Sequence, residues 1–319
     1  MGPPSPIIIT KILLPKKRPD LLRRPRLVDF IHGHIERKLI IVSAPAGYGK
    51  TSLLIDYAHD TDLPVCWYSL DRSDQDPRVF LEYLIASIRQ RFPNFGRRVE
   101  ALLRGSEGFP QEMEAVVGVL VNELYEATPQ YFAIVLDDYH YVDGSEPVNA
   151  FMDALLHYLP ENCHILLASR TLPRLTLTRL VAQREVAGLG VADLRFTAEE
   201  IQALMRQNYN LDLLDKQAEE LATQFEGWIT GILLSTHTMW RGLFEGLIRA
   251  QRAEVQVFDY LATEVFAQQP EEVQQFLLSS SVLERMNPAL CDEFLGINNS
   301  REILELLERK NLFIIHLEG

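Results

Sequence analysis

The sequence predicts an α/β protein whose parallel sheet carries helices on both faces, followed by a stretch built of helices alone. Three observations carry this reading. Short aliphatic runs alternate with longer segments of helical periodicity as far as residue 196. Those runs, such as Leu39–Val42, are apolar throughout, the pattern of strands buried on both faces. A glycine-containing turn joins the first run directly to a helical stretch.

Each element follows in order. Residues 1–27 are rich in proline and basic residues and predict an extended arm. Leu27–Arg37 shows a short helical period through Leu27, Val28, Ile31 and Ile35. The strand Leu39–Val42 is followed by a helix over Thr51–Ala58. Val65–Leu70 is a second strand, and helices follow over Arg78–Phe92 and Glu112–Ala127. Tyr131–Leu136 is a third strand that ends at Asp137 and Asp138. A helix over Pro147–Leu159 leads to strands over His164–Ala168 and Glu185–Leu189.

The pattern changes after Phe196. Thr197-Ala198-Glu199-Glu200 reads as a capping box that opens a helix. Helices continue to Leu283, with breaks near Gly227, Gly242–Gly246 and Pro270. Pro288–Ile315 reads as two helices followed by the strand-like Leu312-Phe313-Ile314-Ile315. A domain boundary is expected at 191–196. It separates an arm and first helix over 1–38 and a sheet domain over 39–195 from a helical remainder.

The 319 residues suffice for two domains at roughly 150 residues each. An apolar fraction of 47% and a net charge of −13 exclude a disordered chain and argue against nucleic-acid binding over the whole surface. Lys11 to Lys38 holds nine basic and three acidic residues, a local +6, so the remainder carries −19. This arm is either a solvated basic face or a segment folded toward a polyanionic ligand. Cys66, Cys163 and Cys291 show no metal-ligand spacing and suit a reducing compartment. No apolar run approaches the roughly 18 residues of a membrane span, and Met1–Lys17 carries no leader signature. A cytoplasmic location is expected.

Ser43-Ala44-Pro45-Ala46-Gly47-Tyr48-Gly49-Lys50-Thr51 is the strongest chemical signal. A strand, this loop and a helix form the setting of a phosphate-binding (Walker A) loop. Gly47 and Gly49 permit positive φ and close approach of the backbone. Successive N–H groups at a helix N-terminus attract phosphate oxygens. Lys50 would bridge β- and γ-phosphates, and Thr51 would ligate Mg²⁺. Pro45, Ala46, Tyr48 and Ser52 complete the segment around the phosphates. Ala44 stands where the usual pattern has its first glycine.

Asp137 and Asp138 close the third strand. An acid there can hold Mg²⁺ through water, and its neighbour can deprotonate an attacking water. Asp137 is assigned to the metal and Asp138 to the base. Arg170, after the next strand, could reach a γ-phosphate. His140 either contacts the attacking water or packs in its loop. Trp67 and Tyr68 read as core residues.

These residues carry a resemblance. The loop Ala44–Thr51, Cys66-Trp67-Tyr68-Ser69-Leu70-Asp71, Leu136-Asp137-Asp138-Tyr139-His140 and Ala168-Ser169-Arg170 occur in the order seen in the MalT-like regulators. So do Leu194-Arg195-Phe196-Thr197-Ala198-Glu199-Glu200, Glu226-Gly227-Trp228, Phe276-Leu277-Leu278 and Asn311-Leu312-Phe313. The chain thus resembles, over residues 8–317, the ATP-dependent LuxR-type transcription activators of the STAND class of P-loop NTPases.

The resemblance implies a nucleotide-binding domain, a helical domain (196–250) and a partial winged-helix domain (251–319). It implies ADP between them in a closed resting state, and an inducer or protein partner acting through C-terminal domains. Exchange for ATP would then lead to self-association. It further implies that Thr10, Lys11 and Arg24 cover the adenine end, and that Gly227-Trp228-Ile229 approaches the nucleotide. The chain would be the N-terminal portion of a longer regulator. The family's β-phosphate histidine lies past Gly319, so ADP would be held less tightly here. Direct nucleic-acid binding by this segment is not expected.

Three activities stay open on the residues alone. They are a slowly hydrolysing ATP/ADP switch, a fast remodelling ATPase, and an interaction scaffold with structural nucleotide.

Overall fold

The computed structural model describes residues 7–105, 113–128, 130–233, 266–267, 269–283 and 285–309. The expected break at 242–246 and the strand-like 312–315 lie outside the described residues. The chain divides into two compact units. One comprises Met1–Ala44, Gly49–Leu194 and Glu199–Asp215, and the other Pro45–Tyr48, Arg195–Ala198 and Lys216–Gly319.

In the first unit five strands form one parallel sheet: β1 (Leu39–Ser43), β2 (Val65–Ser69), β3 (Phe132–Asp137), β4 (Cys163–Ser169) and β5 (Val186–Leu189). Their spatial order is β2-β3-β4-β1-β5. Every residue of β3 and β4 is buried, as a sheet covered on both faces requires. Parallel neighbours cannot be joined by tight hairpins, so the connections run through helices. These include α1 (Pro25–His32), α2 (Lys50–Asp60), α3 (Pro77–Arg89), α4 (Arg97–Gly105), α5 (Met113–Ala127) and α6 (Glu146–Tyr158). Helix α3 shows why such segments form. Asp76 accepts from the N–H groups of Arg78 and Val79, Pro77 occupies the first turn, and Phe80, Leu81, Leu84, Ile85 and Ile88 are buried.

The register aligns the C-terminal ends of the strands. Ser43 of β1 lies opposite Ser169 of β4, Leu136 of β3 opposite Leu167 of β4, and Ser69 of β2 opposite Asp137. β4 is inserted between β1 and β3, so the end of β3 sits about 10 Å from that of β1 at the usual strand spacing. Ligands of open α/β sheets bind beyond such carboxyl ends.

Several basic residues of the arm pair with carboxylates of the same unit, while Lys16, Lys17, Arg18, Arg23 and Arg26 stay exposed. Lys17 pairs with Asp56 at 2.5 Å and Arg23 with Asp60 at 2.7 Å, both acids on α2. Arg24 and Arg26 both meet Glu200, each at 2.9 Å, on α7 (Ala198–Tyr209). The sign of the charge is as expected from the sequence, but its partners are the protein's own carboxylates.

The second unit contains most of α8 (Asp215–Gln224) and three further helices, Glu271–Ser280, Pro288–Leu295 and Ser300–Arg309. Asn287 caps the second of these through the N–H of Leu290, and Gly296 ends it at φ 67. Val273, Phe276, Cys291, Ile303 and Leu307 form a small core among the three.

Candidate functional site

In the first unit the site is built on strand ends. Ala44 follows β1, is buried, and donates its N–H to the Ser169 carbonyl at 3.3 Å. Gly49, at φ 80, sits at the N-cap of α2 in the left-handed region that glycine adopts without strain. Lys50 begins the helix. Its side chain is buried, and Nζ donates to the Ala44 carbonyl at 2.7 Å. Burial lowers its pKa to about 8. Arg170 adds to that lowering, while Asp138 and Asp137 oppose it.

Thr51 Oγ1 donates to Asp137 Oδ1 at 3.1 Å, although 86 residues separate them. Asp137 also accepts from the Asp138 N–H at 3.1 Å. Burial raises the pKa of Asp137, and the neighbouring Asp138 raises it further, against Thr51 and Lys50. Burial raises Asp138 too, against Lys50 and Arg170. A hydroxyl beside a carboxylate is the hard oxygen pair that suits Mg²⁺ when phosphates and water supply the other ligands. Among the described residues no cluster of three or more acidic, histidine or cysteine side chains could hold a metal unaided.

Asp138 takes φ 60 and ψ 38, an uncommon backbone for a residue bearing a side chain. It turns the chain directly off β3 into the short helical turn Tyr139–Tyr141. The Tyr139 hydroxyl donates to Asn149 Oδ1 at 2.8 Å, and Gln75 Nε2 donates to the Tyr141 carbonyl at 2.9 Å. His140 lies between these anchors, with Nδ1 3.7 Å from Asp138 Oδ1. Lys50, Thr51, Asp137, Asp138, His140 and Arg170 therefore share one neighbourhood, as their mutual electrostatic effects show.

The second unit holds the tip of the loop. Gly47 has φ 84. Trp228 Nε1 donates to the Ala46 carbonyl at 2.9 Å. The Gly47 carbonyl accepts from Thr230 N at 3.3 Å and Thr230 Oγ1 at 3.2 Å. Helical backbone begins at Ile229, so the loop carbonyl takes a first-turn N–H that has no partner inside the helix. A Cβ on Gly47 would lie 2.4 Å from Trp228 Nε1, so only glycine fits. Gly227 sets this turn at φ 66 and accepts from the Phe196 N–H at 3.0 Å. Arg195 and Glu226 form an ion pair at 2.5 Å and act electrostatically on Tyr48.

Other expected site residues have different surroundings. Lys11 lies beyond β2, with Nζ 2.7 Å from Asp74 and 3.1 Å from Asp71, and 4.3 Å from the Tyr83 ring centre. β2 is the edge strand farthest from the β1 side, so Thr10 and Lys11 are not gathered with Lys50. Arg24 donates to the Leu194 carbonyl at 3.0 Å as well as to Glu200. Ser52 is exposed in the first turn of α2. Thr230 and the backbone of Phe196 were not flagged from sequence. The only hint was their closeness to Gly227-Trp228 and to the capping segment.

A parallel sheet in this order, with a glycine-bearing loop between its β1 strand and the next helix, defines a P-loop NTPase fold. The Walker-type ATPase PABY2304 of Pyrococcus abyssi has a similar fold, with a TM-score of 0.55 at 15% identity, covering 95% of this chain and 94% of that one. The sequence is MalT-like along nearly its whole length. It is 31% identical over 317 residues to the HTH-type transcriptional regulator MalT of Yersinia enterocolitica, covering 98% of this chain and 34% of that protein. It is 30% identical over 319 residues to MalT of Yersinia pestis (strain Pestoides F), with the same coverage of 98% and 34%. Residues 262–319 match the family described as the MalT winged helix domain. The chain spans about a third of the length of these curated relatives. Among the described residues, no helix is long and apolar enough to cross a membrane.

Proposed function

We propose that this chain is the nucleotide-dependent switch module of a transcription regulator. It binds ATP or ADP with Mg²⁺, and slow ATP hydrolysis resets the switch. The observation that carries this is the gathering of Lys50, Thr51, Asp137, Asp138 and Arg170 around the carboxyl ends of β1, β3 and β4. Residues 39–195 would form the nucleotide-binding domain, 196–250 a helical domain and 251–319 a partial winged-helix domain.

The geometry supports a role for each residue. Pro45 shapes the start of the loop, Ala46–Ser52 supplies backbone N–H groups to the phosphates, and Lys50 exchanges the Ala44 carbonyl for phosphate oxygens. Thr51 and Asp137 would hold Mg²⁺, which would supply positive charge against the phosphates. Asp138, its pKa raised by burial against Lys50 and Arg170, accepts the proton of the attacking water. Arg170 stabilises charge on the γ-phosphate. Trp228 fixes the loop tip through the Ala46 carbonyl. An adenine-end role for Thr10, Lys11 and Arg24 draws its support from the family resemblance. Self-association in the ATP state, and response to an inducer or protein partner through domains outside this chain, complete the reading.

The test is the nucleotide carried through purification, followed by turnover. Stoichiometric ADP with turnover of roughly 10⁻⁴ to 10⁻² per second supports a switch. Turnover of many per second would favour a remodelling ATPase. Asp138→Asn should leave nucleotide binding intact, lower turnover about 100-fold or more, and favour oligomers in ATP. No change in turnover or assembly would instead indicate a scaffold.

A further inference from the structure

β2 ends beside the carboxylate assigned to the metal. Ser69, its last residue, lies directly opposite Asp137 in the parallel register. The ladder continues one bond further, from the Leu70 N–H to the Asp137 carbonyl at 3.0 Å. Opposed residues of parallel strands project from the same face of the sheet, and the strands lie about 4.8 Å apart. Tyr68 and Leu136, one position earlier, belong to the core built with Phe80 and Leu84 of α3. Ser69 and Asp137 therefore share the other face, where α2 brings Thr51 Oγ1 to Asp137 Oδ1.

The hydrogen bonds on that face leave two neighbouring oxygens with capacity to spare. Asp137 Oδ1 accepts from both Thr51 Oγ1 and the Asp138 N–H. Asp137 Oδ2 accepts from no donor among the described residues, although the residue is only 3% exposed. A buried carboxylate oxygen left open in this way calls for a partner. Ser69 Oγ accepts from the indole Nε1 of Trp67 at 2.8 Å, its one side-chain hydrogen bond among the described residues. Trp67 is buried, and a buried indole N–H needs such an acceptor. A hydroxyl offers two acceptor positions and one donor, so the indole holds the Ser69 oxygen in place and leaves one acceptor position unused.

On the reading that Thr51 and Asp137 hold Mg²⁺ with a nucleotide, we propose that Ser69 is a positioning residue for that ion. Ser69 Oγ and Asp137 Oδ2 together accept the two hydrogens of a water on the metal. Mg²⁺ dehydrates reluctantly and keeps several waters where one or two carboxylates and phosphates hold it. A water whose oxygen faces a cation has only its hydrogens to offer, and this pair of oxygens takes both. Outer partners of this kind fix the orientation of metal ligands, and losing one costs roughly 10- to 100-fold in metal affinity. The contact gives β2 a part in a site otherwise built on β1, β3 and β4.

Equilibrium binding of a non-hydrolysable ATP analogue to the full chain, with Mg²⁺ present and with it chelated, tests this. In the wild type Mg²⁺ should tighten binding. Ser69→Ala should cut that tightening about 10-fold, the lower end for an outer partner of a metal, and change metal-free binding less than about 2-fold. Ser69→Thr keeps the oxygen and should restore most of the Mg²⁺ effect. Equal weakening with and without Mg²⁺ would show that Ser69 serves only the Trp67 indole, and would overturn the proposal. An undiminished Mg²⁺ effect in Ser69→Ala would overturn it too, as would a loss in Ser69→Thr as deep as in Ser69→Ala. Wild-type protein whose binding gains nothing from Mg²⁺ would overturn the metal assignment and the proposal with it. Wild-type protein that binds no nucleotide in either condition would instead overturn the nucleotide reading itself. A melting curve for each variant separates lost contact from lost fold.

Discussion

Lys11 and Lys50 are equally buried, at 8% and 7% exposure, yet they are held in opposite ways. Lys11 lies against two carboxylates, Asp74 and Asp71, and over the Tyr83 ring. Lys50 is hydrogen-bonded to a neutral carbonyl, while burial pulls its pKa down. The first charge is neutralised inside the fold. At the second, burial outweighs the pull of Asp138 and Asp137. Burial alone therefore does not tell the two lysines apart; the partner that each side chain meets does.

The largest expected effect separates the two residues directly. Lys11→Met leaves Asp74, fully buried, without its cation, and breaking such a pair costs about 3–5 kcal/mol. Chemical denaturation should show that loss, while the folded fraction keeps measurable nucleotide affinity, since an adenine-end contact leaves the phosphate loop intact. Lys50→Met should do the reverse, abolishing measurable nucleotide affinity with little loss of fold. Equal nucleotide defects in both variants would erase the contrast.

A smaller effect sharpens the contrast at the loop. Gly47→Ala forces a side chain onto φ 84 and toward Trp228 and Thr230, at a cost of about 1–3 kcal/mol. Trp228→Phe removes one hydrogen bond, about 1 kcal/mol, and leaves the Ala46 carbonyl without the indole. Measured together by denaturation, the two should be less than additive, because the smaller ring makes room for the methyl. Full additivity would mean that the backbone angle alone demands glycine.

Much of the fold could be read because its signals are local. Leu39–Val42 and Tyr131–Leu136 are continuous apolar runs, and they became β1 and β3 with shifts of a residue or so at their ends. Helix α4 was missed although Val99, Leu102 and Leu103 share a helical spacing, since its polar remainder gives a short and weak pattern. The insertion of β4 between β1 and β3 was not visible, because strand order depends on how crossovers pack. At the site, Lys50, Thr51, Asp137, Asp138 and Arg170 were legible from motif position. The fate of the arm was not. Arg24 and Glu200 are 176 positions apart, and their pairing exists only once the chain is folded.

The smallest effect concerns pH and again sets Lys50 apart. Its pKa in the folded protein is about 8, against an ordinary value of 10.5. Between those values the unfolded chain holds a proton that the folded lysine has released, so stability rises with pH across that window. Below about 8 both states are protonated and the full penalty of burying the cation applies. Lys50→Met removes that penalty, and in the ligand-free protein the net gain is of order 1 kcal/mol near pH 7, since the hydrogen bond to Ala44 is lost as well. The gain should shrink as pH rises from 8 and vanish above 10.5, where the wild-type lysine is neutral in both states. Denaturation midpoints of the two proteins across that range measure it. A constant difference across that range would mean that burial of the lysine stem, not its charge, sets the cost, and Lys50 would then be held no differently from Lys11.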